Sequence, residues 1–235
     1  MLSYDTIDEL TEYCEKKSNI TLVSKLFHEA TKMKIIYKIN AENINDQIHY
    51  RLKLNYKQYI KLDKKYYNIV YHLILNRLSG EFQTMLESIG NCVQLQTLDL
   101  SENQLSSIPE SIGNCVQLQK LYIENNKLNS IPKSIGNCVQ LQKLYLYYNK
   151  LSSIPESIGN CVQLQTLDLS WNQLSSIPES IGNCMQLQTL ISSKNKLCSI
   201  PESIGNCVQL QTLDLSGNQL NSIPKLTEKW RVYMN

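Results

Sequence analysis

A 23-residue repeat constrains this chain more than any other feature. Six blocks read close to LQTLDLSENQLSSIPESIGNCVQ, and they begin at Leu95, Leu118, Leu141, Leu164, Leu187 and Leu210. Self-similarity at a period of about 20–50 residues is typical of repeat architectures, in which each unit packs against its neighbours to build a continuous core. The repeats therefore predict a solenoid of similar coils.

Each repeat combines a strand pattern with a returning segment. Counted from its first leucine as offset 0, a repeat has leucine at offset 3, usually at offset 5, and again at offset 10. The alternation Leu98-x-Leu100 indicates a strand with one buried face, while Leu105, Ile108 and Ile112 are expected to point inward from the returning half. Asparagines at offset 8 are predicted to stack and satisfy backbone groups where the chain leaves the sheet: Asn103, Asn126, Asn149, Asn172, Asn195 and Asn218.

The remaining fixed positions are proline, glycine and cysteine. All six prolines share offset 14, where proline suits the first turn of a short helix, and Gly113 and its equivalents suit the end of that segment. Six of the eight cysteines recur once per repeat, from Cys92 to Cys207. Free cysteine is among the most buried residue types, so the row predicts a buried ladder of reduced thiols rather than disulfides or a metal site.

The fifth repeat departs from this pattern. Ser192 stands at offset 5, where the other repeats have an apolar residue, and Ile191 falls on the exposed offset 4. Either the strand slips locally or a small cavity opens, and a weakened fifth repeat is expected.

These residues resemble the leucine-rich-repeat family. The pattern L-x-x-L-x-L-x-x-N-x-L covers residues 95–224, about 55% of the chain, and the Ile-Pro-x-x-Ile-Gly form resembles the 23-residue class. The resemblance implies an α/β solenoid, a horseshoe whose parallel concave sheet binds another protein, usually without catalysis. Intracellular signalling scaffolds belong to that class. The near-identical repeats and the leader rich in lysine, asparagine, isoleucine and tyrosine are more similar to effectors of intracellular bacterial pathogens such as Legionella.

The repeats are expected to be closed at both ends. Residues 72–94 keep the tail of a repeat and are predicted to form a degenerate capping repeat, because terminal repeats must cover an open core. In the C-terminal cap, residues 225–235, a short helix carrying Leu226, Trp230 and Val232 is expected to close the other end.

Residues 1–71 are predicted to form a small, mainly helical N-terminal domain docked on the solenoid. Asp5 can cap a helix carrying Ile7, Leu10 and Cys14, and Asn19 can start a second helix that extends to Ala30. The alternation over residues 50–56 favours a strand, and a helix through Tyr71 is the alternative. No signal peptide is visible and no apolar run is long enough to span a membrane, so the expected location is cytoplasmic, including delivery into a host cell by a specialised secretion system.

The sequence contains none of the motifs typical of catalytic sites, and no cofactor or metal is expected. A Cys14–His28 nucleophile and base is conceivable, but the spacing does not favour it over two unrelated helix residues. Residues 34–77 carry nine Lys+Arg against three acidic residues. They could contact a nucleic-acid backbone or an anionic membrane, but a solvated face above packed tyrosines is the favoured explanation, because no nucleic-acid motif accompanies the charge.

The strongest functional signal is where the repeats differ from each other on the predicted concave face. The first, fourth and sixth repeats have Thr-Asp-Ser at offsets 2, 4 and 6, whereas the second and third have lysines and tyrosines there. Tyrosine and tryptophan most often carry binding energy at interfaces. The predicted partner-binding residues are Lys120, Tyr122, Glu124, Lys143, Tyr145, Tyr147, Tyr148, Trp171 and Ile191.

The sequence therefore predicts a non-enzymatic protein-binding module, monomeric when free, whose partner is a host protein or a fellow effector. Its action could be to inhibit or regulate that partner. The alternative is a two-part effector, in which the N-terminal region carries an activity or binds an anionic surface while the repeats only select the target. Nucleic acid is not an expected partner.

Overall fold

The computed structural model describes residues 36–39, 50–53, 72–75, 83–221, 223–224 and 230–234. Within them, ten short strands form one open sheet and lie side by side in chain order. The strands are β1 (Ile36–Ile39), β2 (Tyr50–Lys53), β3 (His72–Ile74), β4 (Thr97–Asp99), β5 (Lys120–Tyr122), β6 (Lys143–Tyr145), β7 (Thr166–Asp168), β8 (Thr189–Ile191), β9 (Thr212–Asp214) and β10 (Arg231–Tyr233).

Every neighbouring pair from β2 to β10 is parallel, and only β1 and β2 run antiparallel. From β4 to β9 each residue pairs with the one 23 positions later, as Leu98 with Leu121 and Leu144 with Leu167. Parallel strands need a return segment, which one α-helix and then five 3-10 helices supply: α1 (Gln83–Ile89), Glu110–Asn114, Lys133–Asn137, Glu156–Asn160, Glu179–Asn183 and Glu202–Asn206. The predicted α/β solenoid with a parallel sheet is confirmed.

The core lies between the sheet and the return segments. The middle residue of each strand from β4 to β9 is buried, as are the apolar residues at offsets 10, 13 and 17 of the first five repeats. The asparagine ladder joins successive coils. The Asn126 amide nitrogen donates to the carbonyls of Leu100 and Ile123 at 2.9 and 3.1 Å, and its oxygen accepts from the Leu105 backbone N–H at 3.0 Å. The side chain thereby satisfies three backbone groups, as the sequence predicts.

The cysteine row is buried and its thiols are free. The Cys138 thiol lies 3.5 Å from the Ile112 carbonyl of the preceding coil, and the equivalent contact recurs at Cys115, Cys161, Cys184 and Cys207. Burial raises the pKa of the Cys115 thiol to about 12. These thiols therefore remain protonated at neutral pH and hold coils together as small apolar groups with one weak donor.

The glycine at offset 18 has a different role from the one its position suggests. Gly113 lies within the 3-10 helix, and a β-carbon built on it would be 2.6 Å from the Ser134 β-carbon of the next coil. Its absent side chain is thus needed for close packing between coils, not for ending a helix. Pro109 precedes the 3-10 helix in an extended conformation.

The fifth repeat keeps its register, so the strand slip, one of the two alternatives expected from the sequence, is wrong. Ile191 pairs with Asp168 on one side and with Asp214 on the other, as in every other repeat. Ser192 is fully buried in the position of a core leucine, and its hydroxyl oxygen has no hydrogen-bond partner in the described structure. The departure from the repeat therefore leaves an unsatisfied polar group in the core.

The two ends of the solenoid differ from the sequence predictions. The predicted closing helix is wrong at residues 231–233, which form β10 beside β9, although Trp230 is buried in the core as expected. Leu226 lies outside the described residues. At the other end, residues 72–94 contribute β3 and α1 with Leu73 and Leu86 buried, and the sheet continues beyond them into β2 and β1.

Much of the N-terminal region falls outside the described residues. That includes both predicted helices and the Cys14–His28 pair, so these stay predictions. The predicted strand over residues 50–56 is present as Tyr50–Lys53. In the described parts of the chain, no helix is long and apolar enough to cross a membrane, and no three His, Cys, Asp or Glu side chains converge as metal ligands would.

Candidate functional site

The side chains that alternate with the core leucines form the outer face of the sheet, which we call the sheet face. In each strand from β4 to β9 the first and last residues are partly exposed, and they stand at offsets 2 and 4. The residues at offsets 6 and 7 follow directly. All nine predicted partner-binding residues lie on this face or at its edge.

In three repeats the polar residues of the sheet face form hydrogen bonds with each other. Asp168 Oδ1 accepts from the backbone N–H of Ser170 at 3.0 Å and from its hydroxyl at 2.6 Å. The same two bonds join Asp99 to Ser101 and Asp214 to Ser216. The Thr-Asp-Ser trio is thus a local structural motif. Of the three repeats that lack it, the second and third carry tyrosines and the fifth carries Ile191.

Tyr122 and Tyr145 occupy offset 4 on neighbouring strands and pair in register. Their ring centroids are 5.2 Å apart and their planes differ by 3°, which is a stacked arrangement. Because parallel strands lie about 4.8 Å apart, identical offsets bring the rings into contact without further adjustment.

A second stack lies at offset 7, just beyond the strand ends. Tyr148 and Trp171 have ring centroids 4.9 Å apart and planes that differ by 12°, and Tyr147 meets the edge of Tyr148 at 5.9 Å. Tyr148 is 46% exposed and Trp171 is 47% exposed. The five rings, Tyr122, Tyr145, Tyr147, Tyr148 and Trp171, form what we call the aromatic patch.

The backbone at offset 7 has an uncommon conformation. Glu102, Asn125, Tyr148, Trp171 and Lys194 all have φ between 53° and 55°, in the left-handed region that favours glycine, and Gly217 takes that place in the sixth repeat. Their N–H groups donate to the next repeat, as Tyr148 does to the Ser170 carbonyl at 3.1 Å. The two most exposed rings therefore project from a fixed backbone.

Glu124 lies at offset 6 among these rings. Its Oε2 atom is buried and has no hydrogen-bond partner among the described residues. Burial is the main cause that raises the pKa of Glu124, and the carboxylates of Asp99, Asp168 and Glu102 raise it further. Burial, followed by Asp168 and Glu124, also raises the pKa of Tyr145.

Lysines and one isoleucine complete the predicted set. Lys120 and Lys143 pair in register at offset 2, on the same face as the tyrosines. Ile191 stands at offset 4 of β8, and Asp168 separates it from Tyr145 along the row. The structure therefore brings the tyrosines, Trp171 and Glu124 together, while Ile191 lies two strands away from Tyr145.

Sequence reasoning missed two features of this site. The left-handed backbone at offset 7 had a signal, since Asn125 and Gly217 are the residue types that tolerate it best. Asp168 is the second. Like Asp99 and Asp214, it pairs in register with a tyrosine on one side and an isoleucine on the other.

Comparisons with known proteins agree with this fold. Three family models match, described as leucine rich repeat over residues 116–174, leucine rich repeats in two copies over residues 93–137, and leucine rich repeat over residues 209–230. No curated protein matches the chain.

Two similar solved structures come from bacteria. A leucine-rich-repeat protein of Leptospira interrogans is 35% identical with a TM-score of 0.67, over 73% of this chain and 44% of the other. An internalin from Listeria monocytogenes is 26% identical with a TM-score of 0.60, over 74% of this chain and 51% of the other. This chain thus spans about half or less of the proteins it resembles.

Proposed function

Because this chain carries leucine-rich repeats, which generally form protein–protein interaction modules, we propose that it binds another protein through the aromatic patch on its sheet face. The observation that carries the proposal is the patch itself. Five aromatic rings lie on one face as a stacked pair and a contacting group of three, and two of them are close to half exposed.

The patch has the physical properties of a binding hot spot. Tyrosine and tryptophan supply large contact area with few rotatable bonds, and stacking restricts those bonds before a partner arrives. Less ordering is then needed on binding, which favours affinity. The six repeats span about 24 Å across their strands, enough for about 800 Å² of contact on each partner.

The role of binding is regulatory in this proposal. Occupation of a partner's docking surface or active-site cleft would inhibit or redirect that partner without chemistry on this chain, and no enzyme family is among the matched models. The near-identical repeats support a bacterial effector role, and both solved structures described above are bacterial proteins.

The cysteine ladder supports action in a reducing compartment such as the cytoplasm. Seven free cysteines are described, and six of them are buried. Protein isolated from its cell in the presence of an alkylating reagent, then unfolded and analysed by mass spectrometry, is expected to carry only reduced thiols. Disulfides in that material would contradict the proposed compartment.

The binding proposal is tested by affinity capture with the full chain. Immobilised wild type and the triple variant Tyr145→Ala/Tyr147→Ala/Trp171→Ala are exposed to the same lysate, and bound proteins are identified by mass spectrometry. A matched control is Val162→Ala/Met185→Ala/Val208→Ala, because those side chains are at least as exposed as Trp171 but belong to another apolar row at offset 21. Circular dichroism verifies that all three proteins are folded.

We expect a partner that wild type and the control retain and that the triple variant loses. Confirmation requires the same ranking in titrations with the purified partner, with a loss of about 100-fold or more for the triple variant. Equal binding by all three proteins would reject the aromatic patch as the binding site. It would favour the two-part alternative, in which the N-terminal region carries the activity.

A further inference from the structure

The turns that follow the strands carry lysines without acidic neighbours. Offsets 7 to 12 of the second to sixth repeats contain four lysines and no acidic residue, and the same stretch of the first repeat contains one acidic residue, Glu102. Other acidic residues lie at offset 4 of the strands, such as Asp168, and on the return segments, such as Glu156. All four lysines are exposed, and we call them the basic edge: Lys127, Lys150, Lys194 and Lys196.

Hydrogen bonds between coils keep the basic edge in register. The backbone N–H of Lys150 donates to the Leu128 carbonyl at 2.9 Å, and that of Lys196 donates to the Leu174 carbonyl at 2.9 Å. Equivalent positions of neighbouring coils therefore lie about 4.8 Å apart, as the strands do. Lys194 reaches farther along the solenoid, because its Cδ would be 2.6 Å from a β-carbon built on Gly217 of the next coil.

The two exposed rings of the aromatic patch lie in the middle of the basic edge. Two of its lysines belong to the second and third repeats, and the other two belong to the fifth. Tyr148 and Trp171, from the third and fourth repeats, stack with ring centroids 4.9 Å apart and are 46% and 47% exposed. This surface is therefore positive, then aromatic, then positive again. Because Lys194 extends over the sixth coil, the two positive regions are about three coil spacings apart, which is about 14 Å.

An extended peptide chain matches this spacing. Extended residues rise by about 3.3 Å each, and side chains at positions i, i+2 and i+4 share one face and span about 13 Å. Carboxylates at i and i+4 can then meet the two pairs of lysines, while the side chain at i+2 covers Trp171. An apolar side chain suits that central position, since it removes the exposed ring from water.

We propose that the basic edge binds an extended acidic segment of the protein partner, in which carboxylate residues at i and i+4 flank an apolar residue at i+2. This inference rests on the proposed function and specifies the partner's chemistry at one border of the same face. Single-stranded nucleic acid fits less well. Its continuous phosphates would also approach the Asp168 and Asp214 carboxylates of the sheet face, and like charges in close approach are unfavourable.

The experiment uses the full chain and the blocked peptide Gly-Glu-Gly-Leu-Gly-Glu-Gly. A neutral peptide has glutamine at both glutamate positions, a basic peptide has lysine there, and a rearranged peptide, Gly-Glu-Glu-Gly-Leu-Gly-Gly, keeps the composition but loses the spacing. The trinucleotide of thymidine, whose two phosphates carry the same charge, represents nucleic acid. Nuclear magnetic resonance titrations follow the chemical shift of the Trp171 indole, which Trp230→Phe assigns.

We expect millimolar binding of the acidic peptide, at least about fivefold tighter than the neutral peptide and at least about threefold tighter than the rearranged one. The basic peptide and the trinucleotide should bind more weakly than the acidic peptide. Raising the salt concentration from about 20 mM to about 300 mM should weaken the acidic peptide and leave the neutral peptide unchanged, because salt screens exposed charges.

Lys150→Gln/Lys196→Gln tests the assigned lysines, and Lys133→Gln/Arg231→Gln is its matched control. The control removes the same two charges from exposed residues outside the basic edge, one on a return segment and one on β10. We expect the first variant to weaken the acidic peptide about fivefold or more and the control to leave it unchanged within about twofold.

Equal binding of the acidic, neutral and rearranged peptides, or equal effects of the two double variants, overturns the acidic-segment proposal. Tighter binding of the trinucleotide than of the acidic peptide overturns it as well and assigns the basic edge to nucleic acid. Failure of the proposed function is separate, because it is read from the captured partner. If that partner depends on the aromatic patch but not on Lys150 and Lys196, the acidic segment is rejected and the binding face stands. If the partner does not depend on the aromatic patch, the proposed function is rejected whatever the peptides do.

Discussion

At the residue scale, Trp171 has a left-handed backbone conformation, which is unfavourable for a residue that carries a side chain. Five repeats place a non-glycine residue there, at a cost of about 1–2 kcal/mol each, and only Gly217 avoids that cost. Strain of this kind persists where the surrounding structure imposes it, and it often occurs at functional positions. Here the hydrogen bonds between coils impose the strained conformation. As a result, an exposed aromatic ring is held in a fixed position.

This strain predicts that a glycine variant at Trp171 is more stable than an alanine variant, the reverse of the usual order of stability. Trp171→Gly loses the stack but relieves the backbone, whereas Trp171→Ala loses the stack and keeps the strain. We expect the glycine variant to have the larger free energy of unfolding by about 1 kcal/mol. At Thr189, an ordinary strand residue, alanine should be the more stable of the two. Urea unfolding of the four variants measures this, and alanine ahead at both sites would contradict it.

A second prediction at this scale concerns Glu124. Burial and the carboxylates of Asp99, Asp168 and Glu102 raise its folded pKa above the ordinary 4.5, and Tyr145 and Tyr147 also face this carboxylate. Ionised Glu124 is therefore disfavoured in the folded protein. Its cost is absent below the unfolded pKa, grows as pH rises through the window between the two pKa values, and is complete above the folded pKa.

Glu124→Gln should consequently raise the thermal midpoint at pH 7 and lose that advantage as pH falls toward 4. The exposed Glu202, on the return segment, serves as the matched control through Glu202→Gln. Thermal unfolding by circular dichroism at intervals between pH 4 and pH 8 provides the measurement. An advantage that is constant with pH, or larger at low pH, would show that the Glu124 carboxylate is not the cause.

At the scale of elements, the contact between coils determines what each position tolerates. Gly113 meets Ser134 of the following coil, but Gly205 belongs to the last 3-10 helix of the described chain, and a β-carbon there would have no atom of the described residues within 4 Å. The two glycines occupy the same offset in near-identical sequence. A comparison of the same substitution at the two glycines therefore separates the effect of packing between coils from the effect of glycine's backbone flexibility.

Gly113→Ala should destabilise the protein by about 2–4 kcal/mol, because backbone and side-chain atoms of the next coil must move. Gly205→Ala should be neutral or stabilising by up to about 1 kcal/mol, since alanine restricts the unfolded chain. Chemical unfolding of the two variants against wild type tests the pair. Equal costs at both positions would mean that close approach between coils is not what requires glycine.

Elements also differ in how far the sequence predicts them. The register of β4 to β9 follows from the 23-residue period, because identical coils stack with identical offsets, and strand spacing alone predicts that Tyr122 and Tyr145 meet. The close approach at Gly113 is invisible in one repeat, since its partner lies in another coil. The strand β10 was missed because residues 231–233 lack the repeat, and the exposed edge of β9 supplies the backbone partner that a helix would leave unused.

At the scale of the whole molecule, six coils with nearly the same core carry one region of the sheet face in which their sequences differ. Repeats one, four and six satisfy their own aspartates and serines on the sheet face, so they offer few groups to a partner. Repeats two and three, joined by Trp171 of the fourth, carry the aromatic patch. A solenoid suits this division, since each coil is stabilised by its neighbours and the sheet face can change without loss of the core.

The most direct test of the aromatic patch uses Trp171 as a reporter inside the complex. The chain has two tryptophans, so Trp230→Phe leaves Trp171, which is 47% exposed, as the single emitter. Acrylamide quenching is measured for this variant free and saturated with its captured partner, in a partner form without tryptophan. We predict a blue-shifted emission and a fall in quenching of about threefold or more in the complex, because a hot-spot ring is sealed from water. Unchanged quenching of Trp171 at saturation would contradict the account, since the partner would then be bound somewhere other than the aromatic patch.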